Sequence, residues 1–215
     1  MKLSAESLRL YAVTDRTWLN GRSLAECVRE SILGGATMIQ LREKSLGYEA
    51  FKYQALEIQA LCRENHIPFL INDNVNLALD VGADGVHVRQ SDMNAANVRE
   101  LVGPGKILGV SVRTVDEALL AQSQGADYLG AGAVFHTGSK NDAVGITHEA
   151  LREICRAVNI PVVAIGGINA GNIHELAGSG IAGVAVISAV FAAGDIRGAS
   201  RELRALSEKY FARKS

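Results

Sequence analysis

Three times in this chain a glycine-alanine pair stands directly before a short β-rich run: Gly35-Ala36, Gly82-Ala83 and Gly125-Ala126, at intervals of 47 and 43 residues. Gly180 takes the fourth such place. A glycine here is the expected left-handed cap of a helix, placed where the chain must turn back into a parallel strand. Strands that alternate with helices of this length indicate βαβ units on a parallel sheet. No G-x-G-x-x-G follows the first strand, which favours a closed barrel over an open doubly wound sheet. The expected class is α/β, a single (β/α)8 TIM barrel domain over residues 1–215.

The periodicity supports eight strands, over 8–14, 37–41, 68–72, 85–88, 107–111, 128–131, 162–165 and 183–188. Helices are expected over 23–33, 48–65, 75–81, 115–124, 148–158 and 196–211, with a short helical segment between the last two strands. Leu24, Cys27, Val28 and Ile32 form one apolar stripe; Val115, Ala118, Leu119 and Gln122 form another, and Leu203, Leu206 and Tyr210 a third. No helix is assigned between the fourth and fifth strands.

The last two strands end in groups suited to an anion. Val162 to Ile165 stops at Gly166-Gly167, where the missing Cβ lets backbone N–H groups come close to a ligand. Gly183 to Ile187 stops at Ser188, which opens the next helix and points N–H groups the same way. In a barrel of this type the phosphate site is frequently built from the loops after strands seven and eight. A single Gly-Gly reads as a tight turn; the two ends together read as a phosphate cradle.

Charge is close to balanced, with 22 basic and 23 acidic residues, so no overall field attracts nucleic acid or an anionic membrane surface. An anionic substrate must then be held by local cations. No apolar run approaches the ~18 residues of a membrane span, and a soluble cytoplasmic protein is expected. Cys27, Cys62 and Cys155 are widely spaced and never paired as C-x-x-C, which reads as core packing rather than zinc or disulfide chemistry.

In such a barrel the C-terminal ends of the strands share one mouth. Polar residues gather there: Gln40-Leu41-Arg42-Glu43-Lys44 after strand two, Asn72-Asp73 after strand three, Arg89-Gln90-Ser91-Asp92 after strand four and Ser111 at strand five. Strand six leads into Phe135-His136-Thr137-Gly138-Ser139-Lys140. Asp73 and Asp92 could share one Mg2+ whose remaining positions go to water and substrate phosphate oxygens. Arg42, Lys44 and Lys140 could neutralise a polyanion opposite.

The phrases Gln40-Leu41-Arg42-Glu43-Lys44, Ile71-Asn72-Asp73, Gly82 to Val88, Gly125-Ala126-Asp127-Tyr128 and Ala164 to Ile168 resemble the thiamine-phosphate synthase family over nearly the whole chain. That resemblance implies a barrel enzyme acting on small phosphorylated substrates, joining an aminopyrimidine diphosphate to a thiazole phosphate with Mg2+ bound and pyrophosphate released. Carried over, Gln40, Leu41, Arg42, Glu43, Lys44, Asn72, Ser111 and Lys140 would contact the pyrimidine diphosphate, with Arg42, Lys44, Ser111 and Lys140 catalytic. Asp73 and Asp92 would hold the metal. Thr137, Gly138, Ser139, Gly167, Ile187 and Ser188 would hold the thiazole phosphate. The chain departs from the family pattern at Arg89, where Gly is usual, at Ser139 in place of a second Thr, and at His136 in place of Pro.

Three other functions fit a phosphate-binding barrel. A thiazole tautomerase-like isomerase would share the fold and phosphate site but not Lys44, Asn72-Asp73 and Asp92. A Schiff-base aldolase would need a desolvated lysine, whereas Lys44 sits beside Arg42 and near carboxylates. A non-catalytic regulatory barrel would bind a phosphate ester and release no pyrophosphate. His87 and His174 are read as structural or surface residues.

Overall fold

The structure, a computed structural model, describes residues 3–89, 94–136 and 145–212. Eight parallel strands form a closed barrel in chain order: β1 Leu10–Val13, β2 Met38–Leu41, β3 Phe69–Asn72, β4 Gly85–Arg89, β5 Ile107–Val112, β6 Tyr128–Gly132, β7 Val162–Ile165 and β8 Gly183–Val186. The ring closes where Leu10 of β1 lies opposite Val184 of β8. Outside it run α1 Leu24–Leu33, α2 Tyr48–Glu64, α3 Val75–Asp80, α4 Ala95–Val102, α5 Val115–Ser123, α6 His148–Ala157, α7 Ser188–Phe191 and α8 Ile196–Phe211.

Period two along each strand divides the core into two layers. Leu10, Ala12, Ile39, Leu41, Ile71, Val86, Val88, Leu108 and Val110 face the helices. Tyr11, Val13, Met38, Leu70, Ile107, Tyr128, Val163 and Ala185 fill the barrel. Most of the helices begin at side-chain caps: Ser23 and Glu26 form a reciprocal capping box at α1, and Asn74, Thr114, Thr147 and Asp195 cap α3, α5, α6 and α8.

The Gly-Ala repeat has a structural reason. Gly35, Gly82, Gly125 and Gly180 all take positive φ, at 107°, 65°, 90° and 92°, as a cap that turns a helix back into a strand requires. In three units the residue after the pair then clamps the preceding strand. Thr37 Oγ1 accepts from Leu10 N–H at 2.8 Å, Asp84 Oδ2 from Phe69 N–H at 2.9 Å, and Asp127 Oδ2 from Leu108 N–H at 2.7 Å. Their own N–H groups donate back to the carbonyls of Leu10, Phe69 and Leu108. β1, β3 and β5 are thereby each tied to the following even strand at the N-terminal end of the barrel.

Three sequence expectations differ from the structure. A 3-10 turn, Glu6–Leu8, precedes β1, so the first strand is shorter than 8–14. Helix α4 occupies the segment left without one; its buried face is Ala95, Val98 and Val102, a stripe of small side chains that gives little periodic signal. On α5 the buried residues are Ala118 and Ala121, while Leu119 is 43% exposed, because α5 packs closely through alanines. Cys27 and Cys62 are fully buried, as core cysteines; burial pushes the Cys62 thiol up to about 12.

Asp84→Ala should destabilise the fold by about 1–3 kcal/mol, because it leaves the Phe69 N–H of a buried strand without its acceptor. Urea unfolding measures this, and an unchanged midpoint would show that the clamp contributes nothing.

Candidate active site

The mouth at the C-terminal ends of the strands opens into a cavity of about 350 Å³. Gln40, Arg42, Lys44, Asn72, Asp73 and Ser111 line it together, from β2, β3 and β5 and the loops after them; Ile187 borders it from beyond β8. Leu41 does not join them: alternation turns its side chain outward into the helix-facing core, where it is fully buried. Its expected contact with the pyrimidine diphosphate is therefore corrected to a backbone one at most.

A web of hydrogen bonds shapes the cationic rim. Thr14 Oγ1 accepts from the Arg42 N–H at 3.0 Å, and the Arg42 guanidinium donates to Asp15 Oδ2 at 2.7 Å, with only 9% of its side chain exposed. Burial alone would raise the Asp15 carboxyl, yet bonds from Thr17 and Arg42 outweigh it and hold the group below the usual range. Glu43 borders the cavity, but its carboxylate folds into its own loop. It accepts from the N–H groups of Lys44 at 2.7 Å and Ser45 at 3.0 Å, from the Ser45 hydroxyl, and from Arg16. Burial again acts upward on Glu43, and the bonds from Ser45, Arg16 and Lys44 prevail, so it stays ionised. Glu43 thus organises the loop that presents Lys44, which is exposed. A second cavity of about 240 Å³ adjoins on the other side of Arg42, Glu43 and Lys44, beside Asp15 to Trp18.

The turn after β3 is strained at a useful place. Asn74 N–H donates to Asn72 C=O at 2.7 Å across Asp73, whose φ is 60°. A three-residue turn with positive φ at its centre is rare and costs of order 1–3 kcal/mol. It is held on both sides, by Asp73 N–H donating to His87 C=O and by Asn74 capping α3. The result is an Asp73 carboxylate at the cavity rim, ion-paired with Arg89 at 3.2 Å. Hard carboxylate oxygens beside an open cavity suit Mg2+. The partner expected from sequence, Asp92, lies outside the described residues, and among those described no group of three or more His, Cys, Asp or Glu side chains is placed to hold a metal.

The floor of the cavity is polar as well. Gln40 donates to the Tyr11 hydroxyl, Tyr11 and Tyr128 hydroxyls lie 2.8 Å apart, Tyr128 is 2.8 Å from His87 Nδ1, and His87 Nε2 is 2.9 Å from Ser111 Oγ. Room for this row comes from glycine. A Cβ at Gly109 would lie 2.2 Å from the Tyr128 ring, and one at Gly130 would lie 3.1 Å from His87. Tyr11, Tyr128 and His87 were not among the expected site residues, and His87 was read as structural. Period two carried the signal: Asn72 and His87 are register partners, as are Arg89 and Ser111, so His87 shares the inward face with the residues chosen.

The end of the barrel expected from sequence to bind an anion is built by close backbone approach. Gly167 has φ 67°, and a Cβ there would lie 2.5 Å from the His136 carbonyl oxygen; at Gly166 it would lie 2.4 Å from the Ala133 Cβ. Phe135 N–H donates to Gly166 C=O, which fastens the chain leaving β6 to the end of β7. The pair of glycines is therefore required by a neighbouring strand end, beyond any turn. Ser188 is exposed at the start of α7, next to Ile187. Because α7 is a single turn, what it offers an anion is its first N–H groups rather than a helix dipole. Thr137, Gly138, Ser139 and Lys140 lie outside the described residues.

Comparison with known proteins bears on this site. The family described as thiamine monophosphate synthase matches residues 10–190. A thiamine-phosphate synthase of Clostridium tetani is 49% identical over 194 residues, covering 90% of this chain and 93% of its own length. One from Chloroflexus aurantiacus is 48% identical over 199 residues, covering 92% of each. A solved thiamine phosphate pyrophosphorylase from Pyrococcus furiosus superposes with a TM-score of 0.89 at 43% identity, covering 97% of this chain and 99% of that one. A 3-hexulose-6-phosphate synthase, at 19% identity and a TM-score of 0.66, shares the barrel. A family match that spans the barrel from β1 to α7, with relatives that cover nearly all of the chain, leads to one conclusion: the chain belongs to the thiamine monophosphate synthase family of transferases.

Proposed function

We propose that the protein joins 4-amino-2-methyl-5-(diphosphooxymethyl)pyrimidine to 4-methyl-5-(2-phosphoethyl)thiazole, with or without a ring carboxylate, giving thiamine phosphate and pyrophosphate and, from the carboxylated thiazole, carbon dioxide as well. The observation that carries this reading is the cavity in which Gln40, Arg42, Lys44, Asn72, Asp73 and Ser111 converge from separate strands. A tautomerase or a simple phosphate-binding barrel has no use for cations and a carboxylate grouped in this way.

The chemistry follows from charge. The bond from the pyrimidine methylene to the diphosphate oxygen breaks with its electron pair on the leaving group, and the aminopyrimidine ring spreads the positive charge left behind. Arg42, its guanidinium already held by Asp15, meets the growing negative charge with little reorganisation, and Lys44 joins it from a loop ordered by Glu43. Lys140 would join them. Asn72 and Gln40 orient the diphosphate ester and its ring. The thiazole nitrogen then supplies the electron pair of the new C–N bond, and no enzymic base is required. Gly167, Ile187 and Ser188, with Thr137, Gly138 and Ser139, anchor the far phosphate and so aim that nitrogen. Such alignment can contribute up to ~7–11 kcal/mol.

Asp73 and Asp92 would hold Mg2+, which when bound supplies further positive charge to the departing diphosphate. Arg89 donates to the Asp73 carboxylate, so Mg2+ and Arg89 would share or exchange its oxygens. Such soluble small-molecule chemistry fits a cytoplasmic enzyme, and among the described residues no helix is long and apolar enough to cross a membrane.

Pyrophosphate release from the two substrates should stop on chelation and return with Mg2+; undiminished turnover in excess chelator would remove the metal from the mechanism. Lys44→Met should slow turnover by about 10- to 100-fold, the loss of a charge-assisted hydrogen bond of ~1.5–3 kcal/mol. Lys44 is exposed and bonds through its backbone, so the variant should melt like the wild type. Wild-type kinetics in that variant would make Lys44 a bystander.

A further inference from the structure

Between Gln40 and Ser111, which meet the substrate, runs a row of polar side chains, Tyr11, Tyr128 and His87, for which the proposed chemistry has no direct use. It passes from Gln40 on β2 through Tyr11 on β1, Tyr128 on β6 and His87 on β4 to Ser111 on β5. Tyr11 and Tyr128 are almost fully buried, and burial raises both phenols well above their ordinary range. Both therefore keep their protons. With a neutral imidazole at His87, a row of groups that each have one proton to give has only two self-consistent arrangements, running in opposite directions.

The Gln40 amide sets the direction. Its NH2 faces Tyr11, whose oxygen accepts, so the Tyr11 proton goes to Tyr128. The Tyr128 proton goes to His87 Nδ1. His87 must then carry its own proton on Nε2 and donate it to Ser111 Oγ. That leaves the Ser111 hydroxyl proton to point into the cavity. In the opposite arrangement Ser111 donates to the imidazole and the cavity loses this donor.

We infer that Tyr11, Tyr128 and His87 are positioning residues that act through Ser111, fixing its hydroxyl as a donor toward the substrate and leaving the Gln40 carbonyl oxygen as an acceptor at the other end of the row. The inference rests on the function proposed above. An aminopyrimidine offers ring nitrogens that accept and an exocyclic amine that donates, the complement of one fixed donor and one fixed acceptor on the cavity floor. The barrel is built around the row: Gly109 and Gly130 leave open the space that Tyr128 and His87 fill. Tyr128 also stacks edge-on with Tyr11, centroids 5.9 Å apart, which holds the hydroxyls in line.

Two measurements test this. In 15N spectra of the substrate-free protein, His87 should be a neutral imidazole with its proton on Nε2 and an accepting Nδ1. The opposite tautomer, or an imidazolium, would overturn the proposed direction. In kinetics, Tyr128→Phe keeps the ring and removes one link; it should lower kcat/KM for the pyrimidine diphosphate about tenfold, the equivalent of one hydrogen bond, with KM for the thiazole phosphate unchanged. In a Ser111→Ala background the same substitution should change the rate by less than about twofold, because its effect passes through the missing hydroxyl. A full tenfold loss in both backgrounds would overturn the inference and leave Tyr128 a packing residue. Tyr11→Phe, one link further away, serves the same cycle if Tyr128→Phe folds poorly. A wild-type protein that releases no pyrophosphate from the two substrates would sink the functional reading instead, and the His87 spectrum would still decide the direction of the row.

Discussion

The hydrogen bond from an N–H near the start of an odd strand to the side chain that follows the next Gly-Ala pair governs much of this molecule. Thr37, Asp84 and Asp127 each make it, and each returns a backbone bond to the same strand residue. The residue pairs so defined fix register at the closed end of the barrel. Register matters here because a slip of one residue would turn every side chain of a strand to the other face. Gln40, His87 and Ser111 would then lie under the helices, and Leu41, Val88 and Val110 would face the ligand. The fourth pair, β7 and β8, lacks an equivalent polar side chain. There Ala182 N–H donates to Val162 C=O, and the Arg9 guanidinium reaches the Ala182 carbonyl at 2.7 Å, so the first strand secures the last.

With register fixed, the open end of the barrel can carry charge that would otherwise be costly. Arg42 and Glu43 are the most buried charged side chains of the mouth, and each has its partner within the same pair of loops, Asp15 for one and Arg16 for the other. Taking a charge out of water is expensive unless it is paired and hydrogen-bonded. Here the carboxylates are consumed by positioning, Glu43 on the loop of Lys44 and Asp15 on Arg42. Among the described residues, the cavity lining carries positive charge on Arg42, Lys44, Arg89 and Arg113 and carboxylates on Asp73 and Glu43, the latter bonded within its own loop. The same acidic residues that balance the protein's net charge thus shape a local cationic field instead of cancelling it.

The barrel was readable because its evidence is repetitive: glycine caps at regular intervals and strands short enough to show their bounding turns. Helix α4 was not, since Ala95, Val98 and Val102 give too weak a stripe to separate a helix from a loop. Among site residues, Gln40, Arg42, Lys44, Asn72, Asp73 and Ser111 were legible as polar groups at strand ends, and they do meet at one cavity. Leu41 and Glu43 stand in the same motif, but the Leu41 side chain faces the helices, and Glu43 borders the cavity with its carboxylate bound within its loop. Tyr11 and Tyr128 give no sign of a site in the sequence, and His87 reads there as a structural or surface residue. They sit within strands, where aromatic residues read as core, and only the closed ring brings residues 117 and 41 positions apart into hydrogen-bonding range.

The clamps also divide the chain by distance along the sequence. They join residues 27, 15 and 19 positions apart, whereas the Arg9–Ala182 bond joins residues 173 apart, and Glu30 with Arg197 joins helices 167 apart. Loop-closure entropy grows with separation, and contacts remote in sequence slow folding. Each strand pair can therefore form early from its own short segment, while sealing β8 and α8 against β1 and α1 must await the whole chain. Linking the end of α8 to the segment before β1 and opening the chain between two clamped pairs, for instance just before β3, would make that late seam a local contact. The same barrel would then close at a different place in its ring, with every clamp intact.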